Sequence, residues 1–344
     1  MVTQPSIDLS GIDWRTLSYA KIYTKDCLTQ ERRPNFLSIK IDGRIYFLKK
    51  QRTNLNDELE VQDIELIKLQ QIGEHPYIIR GYGAIDIKGR KVSKGKPDEK
   101  KINGRYSILE YIQSSKDIRE KEISPLEKFV CFYFAGLALK YMHSKGFVNL
   151  DVKPGNILVN GKVVKLIDVE GAMPEAQIVH ENSSGKKIEI LSSPLYCSPE
   201  AYYIFDYGKY SDVYSFGACI NDILRDENRM LDEQNLRIVT KRIIPFPGIT
   251  REETALRLYI SGNLSFSDKG ILEPKNAEEM RPRLEEEFSN PIALDRLVGL
   301  VSNMLERDKN NRPTMDEVVE EMEEILIRDK GLTDILEKRM TPIS

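Results

Sequence analysis

The sequence predicts an α+β chain, a smaller strand-rich N-terminal part followed by a larger, mostly helical one. Three observations carry this. Ile39-Lys40-Ile41 and Ile45-Tyr46-Phe47-Leu48-Lys49 flank Asp42-Gly43, a dipeptide that favours a two-residue hairpin turn because both central residues take positive φ. Ser124-Pro125-Leu126-Glu127 is a capping-box helix start with proline in the first turn. Helical patterns then recur near 211–225, 252–260, 291–306 and 314–328.

The whole-chain properties narrow the functional class. At 344 residues the chain can bury a sizeable core, and 40% apolar with 31% charged residues is ordinary for a soluble globular protein. A formal net charge of −3 implies no general attraction to nucleic acid or to anionic membranes. Cys27, Cys131, Cys197 and Cys219 are scattered without paired spacing, which fits reduced thiols in an intracellular protein. No apolar run reaches transmembrane length, and Met1 to Asp13 lacks a signal-peptide core. The expectation is a soluble, cytoplasmic protein with no membrane or nucleic-acid partner. His75, His143 and His180 are too dispersed to read as a metal cluster.

Element by element, residues 16–50 read as strands and 55–72 as a helix. Val61, Glu65, Leu69 and Ile72 share one face of that helix. Glu65 is thus an acid on an apolar face. A buried unpaired carboxylate is costly, so Lys49, at the end of the preceding strand, is its natural partner; a solvated position at the rim is the alternative. Further strands are expected near 78–87 and 105–111. Between them, Lys88 to Lys101 carries seven basic and two acidic residues. It reads as a solvated loop, with docking of an acidic partner as the alternative. In the helix from 124, Val130, Phe134, Leu137 and Tyr141 form the apolar stripe, and Gly146 is the C-cap. Gly171 to Ser193 is polar and aperiodic, which predicts a mobile loop. The 211–225 helix is apolar on most sides, which predicts burial.

The segment Asn149-Leu150-Asp151-Val152-Lys153-Pro154-Gly155-Asn156 places an acid, a lysine and an amide at D-x-K-x-x-N spacing. Ile157-Leu158-Val159 and Val163-Val164-Lys165-Leu166-Ile167 follow, separated by Asn160-Gly161-Lys162, and predict a hairpin turning at Asn-Gly. That turn puts residue 156 near 165 and brings Asn156 and Asp168 together at the open end. Phosphoryl transfer needs this set: a carboxylate to orient and deprotonate a hydroxyl, a cation on the phosphate, and two hard oxygen ligands suited to Mg²⁺. An ordinary hairpin with polar ends is the competing reading.

Taken in order, these elements resemble the eukaryotic-type protein kinase family over roughly residues 15 to 328. Lys49 matches the strand lysine that holds the nucleotide's phosphates, and Glu65 its helix partner. His75-Pro76-Tyr77-Ile78 looks like the segment after that helix. Leu109 falls at the gatekeeper, and Glu110-Tyr111-Ile112 resembles the hinge that binds adenine through its backbone. Asp151 matches the catalytic base, Lys153 the phosphate-contacting lysine, Asn156 a metal ligand and Asp168 the acid of D-F-G. Ser193-Pro194-Leu195-Tyr196-Cys197-Ser198-Pro199-Glu200 is similar to the T-P-x-Y-x-A-P-E segment. There Ser193 stands for the threonine that contacts Asp151 and Lys153, and Glu200 would pair with Arg312. Ser211 to Gly217 resembles the central buried helix whose acid, here Asp212, caps the catalytic loop.

The resemblance implies a bilobal α+β fold: an antiparallel β-rich N-lobe (15–112) and a mostly helical C-lobe (113–328). A flexible segment (1–14) precedes them, and a tail or short helix (329–344) follows. It also implies a serine/threonine protein kinase using ATP and Mg²⁺ on a protein substrate, the lysine two residues after Asp151 pointing to the serine/threonine type. Gly155 stands where kinases preferring basic substrates often carry an acid, so no strong basic preference is expected.

Four features depart from the family pattern. Thr24 to Asn35, at the glycine-rich loop, contains no glycine, so backbone amides cannot approach phosphates as closely; Lys25, Arg32 or Arg33 are candidate substitutes. H-R-D is Asn149-Leu150-Asp151, and Leu150 cannot grip a phosphorylated loop. D-F-G is Asp168-Val169-Glu170. An insertion around 225–250 is a candidate surface for a regulatory partner. Ser183, Ser184, Ser192 and Ser193 are candidate self-modification sites or plain loop serines. Two alternatives stay open: a pseudokinase acting as a binding or allosteric scaffold, and a kinase-fold adenylyltransferase.

Overall fold

The computed structural model describes residues 8–19, 36–51, 63–88, 90, 102–113, 115–120, 122–161, 163–184, 196–225 and 276–340. The 24–35 connection, Val61, residues 91–101, Ser192 and Ser193, and the 226–250 and 252–260 segments lie outside them. The chain divides into two compact units, Met1–Ser115 with Ile167–Glu170, and Lys116–Leu166 with Gly171–Ser344.

The first unit is built on an antiparallel sheet. Its described strands β1 (Ile12–Tyr19), β2 (Phe36–Ile41), β3 (Arg44–Lys50), β4 (Gly81–Ile87) and β5 (Gly104–Glu110) lie in the order β1-β2-β3-β5-β4. The β2–β3 turn forms as its sequence predicts: Ile41 pairs with Arg44, and Asp42 and Gly43 take φ of 46° and 82°. Alternation along β2 sends Leu37, Ile39 and Ile41 into a core shared with Leu17, Leu48, Tyr106 and Ile108. Leu48 is fully buried, so its neighbour Lys49 projects to the other face.

Helix α1 (Ile64–Ile72) starts at Asp63, whose carboxylate accepts the Leu66 N–H at 3.0 Å, and stops at Gly73, φ 88°. It buries Glu65, Leu69 and Ile72. It also packs close to β4: a Cβ on Gly81 would meet Leu66 Cδ2 at 2.6 Å, so a larger residue there would force the Leu66 side chain to move. Asp63 further accepts from Ser107 Oγ at 2.6 Å and from Gln51 Nε2. Ser107 is the cross-strand partner of Lys49. One carboxylate therefore fixes the start of α1 against the strand beside Lys49, and the sequence pattern does not reveal it.

The second unit is mostly helical. Helix α2 (Pro125–Ser144) opens with the capping box at Ser124 and Glu127, and Gly146 just beyond its end takes φ 73°. Its buried surface is wider than the expected stripe. Phe129, Val130, Phe132, Ala135, Ala138, Leu139 and Met142 are buried, whereas Leu137 and Tyr141 sit at the margin. The cause is packing on two sides, by α5 (Lys209–Leu224) and by α8 (Met315–Arg328). Between α2 and α5 come β7 (Phe147–Val148), β8 (Ile157–Asn160), β9 (Val163–Leu166), β10 (Met173–Pro174), α3 (Glu175–Ser183) and α4 (Pro199–Ile204). A short β6 (Lys116–Asp117) pairs with β8. After α5, α6 (Arg281–Leu284) and α7 (Pro291–Met304) lead to α8, and α9 (Lys330–Met340) ends the described chain, a helix where a tail or short helix was expected.

Two expectations are corrected. β8 pairs Ile157 with Leu166 and Asn160 with Val163, so the turn is residues 161 and 162, not Asn160-Gly161. Gly161 takes positive φ (49°) while Asn160 stays in the ladder. The register moves by two residues relative to the expected proximity of 156 and 165; because strands alternate with period two, every side chain keeps its face. Second, Gly171 to Ser184 is not an irregular loop. β10 pairs with β7, and α3 buries Ile178 against Val148, Leu150, Cys197, Ala201 and Tyr207. One well-placed apolar side chain anchors a helix too polar to be read from periodicity.

Removing the Asp63 cap tests the anchoring of α1. Asp63→Ala should cost about 1–2 kcal/mol in urea unfolding; an unchanged midpoint would show that α1 is held by its apolar face alone.

Candidate active site

In the first unit, β3 and α1 converge on an ion cluster. Lys49 Nζ lies 2.7 Å from Asp168 Oδ1, 2.9 Å from Glu65 Oε2 and 3.2 Å from Glu170 Oε2. Its aligned hydrogen bond goes to Asp168; Glu65 Oε2 makes no directed hydrogen bond, so its contact is an ion pair. The partnership of Lys49 with Glu65 expected from spacing is therefore present, and the rim alternative for Glu65, 4% exposed, is not.

Asp168 reaches the cluster from a left-handed backbone, φ 60°. Such strain costs on the order of 1–3 kcal/mol and persists where the surroundings over-determine it. Val169 beside it is fully buried and anchors the turn. Among the described residues, Glu65, Asp168 and Glu170 each offer a carboxylate oxygen, all within 4.8 Å of one another. This hard oxygen set fits Mg²⁺ by donor chemistry.

Charge balance in the cluster sets its ionisation. Burial pulls the Lys49 ammonium down, but Glu65 and then Asp168 outweigh it and hold the amine above the ordinary lysine range. Burial pushes the Glu65 carboxyl up to about 7, against the attraction of Lys49 and with added repulsion from Asp168 and Glu170.

The hinge candidates lie at the end of β5. Leu109 is buried; the Glu110 N–H donates to the Arg80 carbonyl at 2.8 Å, and the Ile112 carbonyl accepts from Ser115 N–H at 3.2 Å.

In the second unit, the catalytic-loop candidates meet directly. Asp151 Oδ2 accepts from Lys153 Nζ at 2.6 Å and from Asn156 Nδ2 at 3.2 Å; the same amide nitrogen donates to the Asp151 carbonyl at 2.9 Å. With Nδ2 so engaged, the ligand-capable atom of buried Asn156 is its carbonyl oxygen. The Asp151 N–H donates to Asn149 Oδ1 at 3.2 Å. Beneath this loop, Asp212 is 1% exposed. It accepts the N–H groups of Asn149 (2.7 Å) and Leu150 (2.8 Å) and shares a hydrogen bond with His143 Nε2 (2.8 Å). His143, one of three scattered histidines in the sequence, is thus part of the loop's support; its position near the end of α2 was the available signal. Leu150 takes φ 68° and is buried.

Asp151 also lines a small, open depression with Tyr196, Cys197, Ser198, Tyr207 and Ser211. Arg312 grips Glu200 in a bidentate pair, 2.7 and 2.8 Å, and its side chain is fully buried. Ser183 and Ser184 cap the end of α3, their hydroxyls on the His180 and Glu181 carbonyls.

Comparison with known proteins now identifies the class. A family model described as protein kinase domain matches residues 38–322, and the chain belongs to that family. It is 29% identical over 249 residues to the serine/threonine-protein kinase nekl-2 of Caenorhabditis elegans, covering 69% of this chain and 62% of that protein. It is 27% identical over 218 residues to the protein kinase and PP2C-like domain-containing protein of Arabidopsis thaliana, covering 58% and 30%. It is 25% identical over 228 residues to cAMP-dependent protein kinase type 3 of Saccharomyces cerevisiae, covering 60% and 49%. The match spans less than two thirds of each of these relatives. No described helix is long and apolar enough to cross a membrane.

Two outcomes follow from the geometry. Glu65 binds its proton more tightly folded than unfolded, so its contribution is full below the ordinary carboxylate range and is lost as pH climbs through about 7. Between about pH 5 and pH 8 the protein should therefore lose stability relative to Glu65→Gln in urea unfolding; parallel profiles would refute the raised ionisation. Arg312→Ala strands the Glu200 carboxylate in a buried site and should cost about 3–5 kcal/mol, read by the same measurement.

Proposed function

We propose that this protein kinase domain is an ATP-dependent serine/threonine kinase, transferring the γ-phosphate of Mg·ATP to a hydroxyl of a protein substrate. The observation that carries the reading is the Asp151 carboxylate, held by Lys153 at 2.6 Å and Asn156 at 3.2 Å on a loop capped by Asp212. An acid so fixed can orient a hydroxyl and take its proton without first reorganising.

The other roles follow from the side-chain chemistry. Lys49, kept charged by Glu65, would hold the α- and β-phosphates. Asp168 and the Asn156 carbonyl oxygen would be ligands for magnesium. Lys153 would leave Asp151 for the γ-phosphate, and Ser193, outside the described residues, would steady both. The Glu110 carbonyl and the Ile112 N–H are the backbone groups proposed for adenine. ATP supplies the transferable phosphoryl group, and magnesium offsets its charge. Leu150, packed against Ile178, leaves no arginine to read a phosphorylated loop, so activity should not require that modification. A regulatory partner at 225–250 rests on the sequence alone, as does a cytoplasmic location.

The pseudokinase alternative is favoured by one observation: Lys49 is engaged by both Asp168 and Glu170. Incubation with Mg²⁺, a generic protein substrate and γ- or α-labelled ATP separates the readings. Label should transfer from γ only, and Asp151→Asn should reduce it by a factor on the order of a hundred or more. Transfer from the α position would mean adenylylation, and none from either would mean a scaffold.

A further inference from the structure

Glu170 stands at the position where the family pattern D-F-G has glycine. Its carboxylate does not point into solvent alone: Oε2 is 3.2 Å from Lys49 Nζ. An ammonium has three N–H donors. Here three carboxylate oxygens, from Glu65, Asp168 and Glu170, lie within 3.2 Å of that one nitrogen. Only the Asp168 contact is an aligned hydrogen bond; Glu65 and Glu170 hold the ammonium as ion pairs, so an anionic ligand that contacts Lys49 competes with their charge. Glu65 is buried and held by α1, and Asp168 makes the short, aligned bond. Glu170 has the longest contact and a side chain one-third exposed, so it is the group that yields most readily.

Displacement does not remove its charge. The acids around Lys49 outnumber it, and a polyphosphate adds more negative charge. Divalent cations relieve such repulsion by binding the same hard oxygens.

We propose that Glu170 is a positioning residue acting through Lys49: a built-in counter-anion that occupies the ammonium where a polyphosphate would bind, and that makes polyphosphate binding depend on a divalent cation. The inference rests on the nucleotide-binding reading above. It predicts that the acid at position 170 tightens the metal requirement without being needed for phosphate contact.

The test uses the full chain, Glu170→Gln and the conservative Glu170→Asp. Acetic anhydride labelling of Lys49, followed by peptide mass spectrometry, reads the contact with no nucleotide present. Removing the carboxylate that lies 3.2 Å from Nζ uncovers the amine, so Glu170→Gln should label several-fold faster and Glu170→Asp at close to the wild-type rate. Equal rates in all three proteins would overturn the proposal. ATP in EDTA should bind Glu170→Gln about tenfold tighter than wild type, and the gap should narrow with Mg²⁺. Weaker Mg·ATP binding by Glu170→Gln would overturn the proposal in favour of Glu170 as a metal ligand. Faster labelling of Glu170→Gln, with ATP binding to neither protein but inorganic tripolyphosphate still protecting Lys49 better in the variant, would support Glu170 and sink the nucleotide reading instead.

Discussion

The loop that carries Asp151 hangs on one carboxylate. Asp212 projects from α5, a helix buried on nearly every side, and receives the backbone N–H groups of Asn149 and Leu150 together with His143. A buried charge is tolerable only when its oxygens are fully hydrogen-bonded, and here the partners are the backbone immediately before Asp151. The same bonds over-determine Leu150, which is why a branched side chain persists at φ 68°. Everything that follows on the loop, Asp151, Lys153 and Asn156 included, inherits its placement from that cap.

The first unit solves a different problem. Lys49 must stay charged while four-fifths of its side chain is buried, and it does so by excess: three acids around one ammonium. The arrangement is assembled from separate decisions. Strand alternation puts Lys49 opposite the Leu48 core, the Asp63 cap ties the start of α1 to Ser107, and Gly81 lets the helix approach the sheet. The helix then delivers Glu65 at 2.9 Å. Burial, with added repulsion from Asp168 and Glu170, pushes the Glu65 carboxyl up to about 7.

Where the chain departs from the family pattern, the second unit repacks accordingly. Leu150 replaces a charged residue and joins an apolar cluster with Ile178, Cys197, Ala201 and Tyr207. α3 is docked on that cluster, and its first residue, Glu175, is bonded through its N–H to Gly146 and through its carboxylate to Lys209. Burial of Ile178 holds α3 on that cluster by hydrophobic contact.

Much of this was legible in the sequence because it is local or periodic. Asp42-Gly43 specified its turn, Ser124 to Glu127 its helix start, and D-x-K-x-x-N its cluster, since these depend on neighbours a few residues away. The apolar face carrying Glu65 named Lys49 as its counter-ion through the cost of a bare buried charge. Tertiary structure alone decided the rest. The 157–166 hairpin slid by two residues because strand alternation is equally satisfied either way. α3 formed from a polar stretch because a single isoleucine met a cavity built by distant residues. The Asp63, His143 and Glu170 contacts join groups 44, 69 and 121 positions apart, a range over which propensity and spacing carry no information and only packing selects the partner.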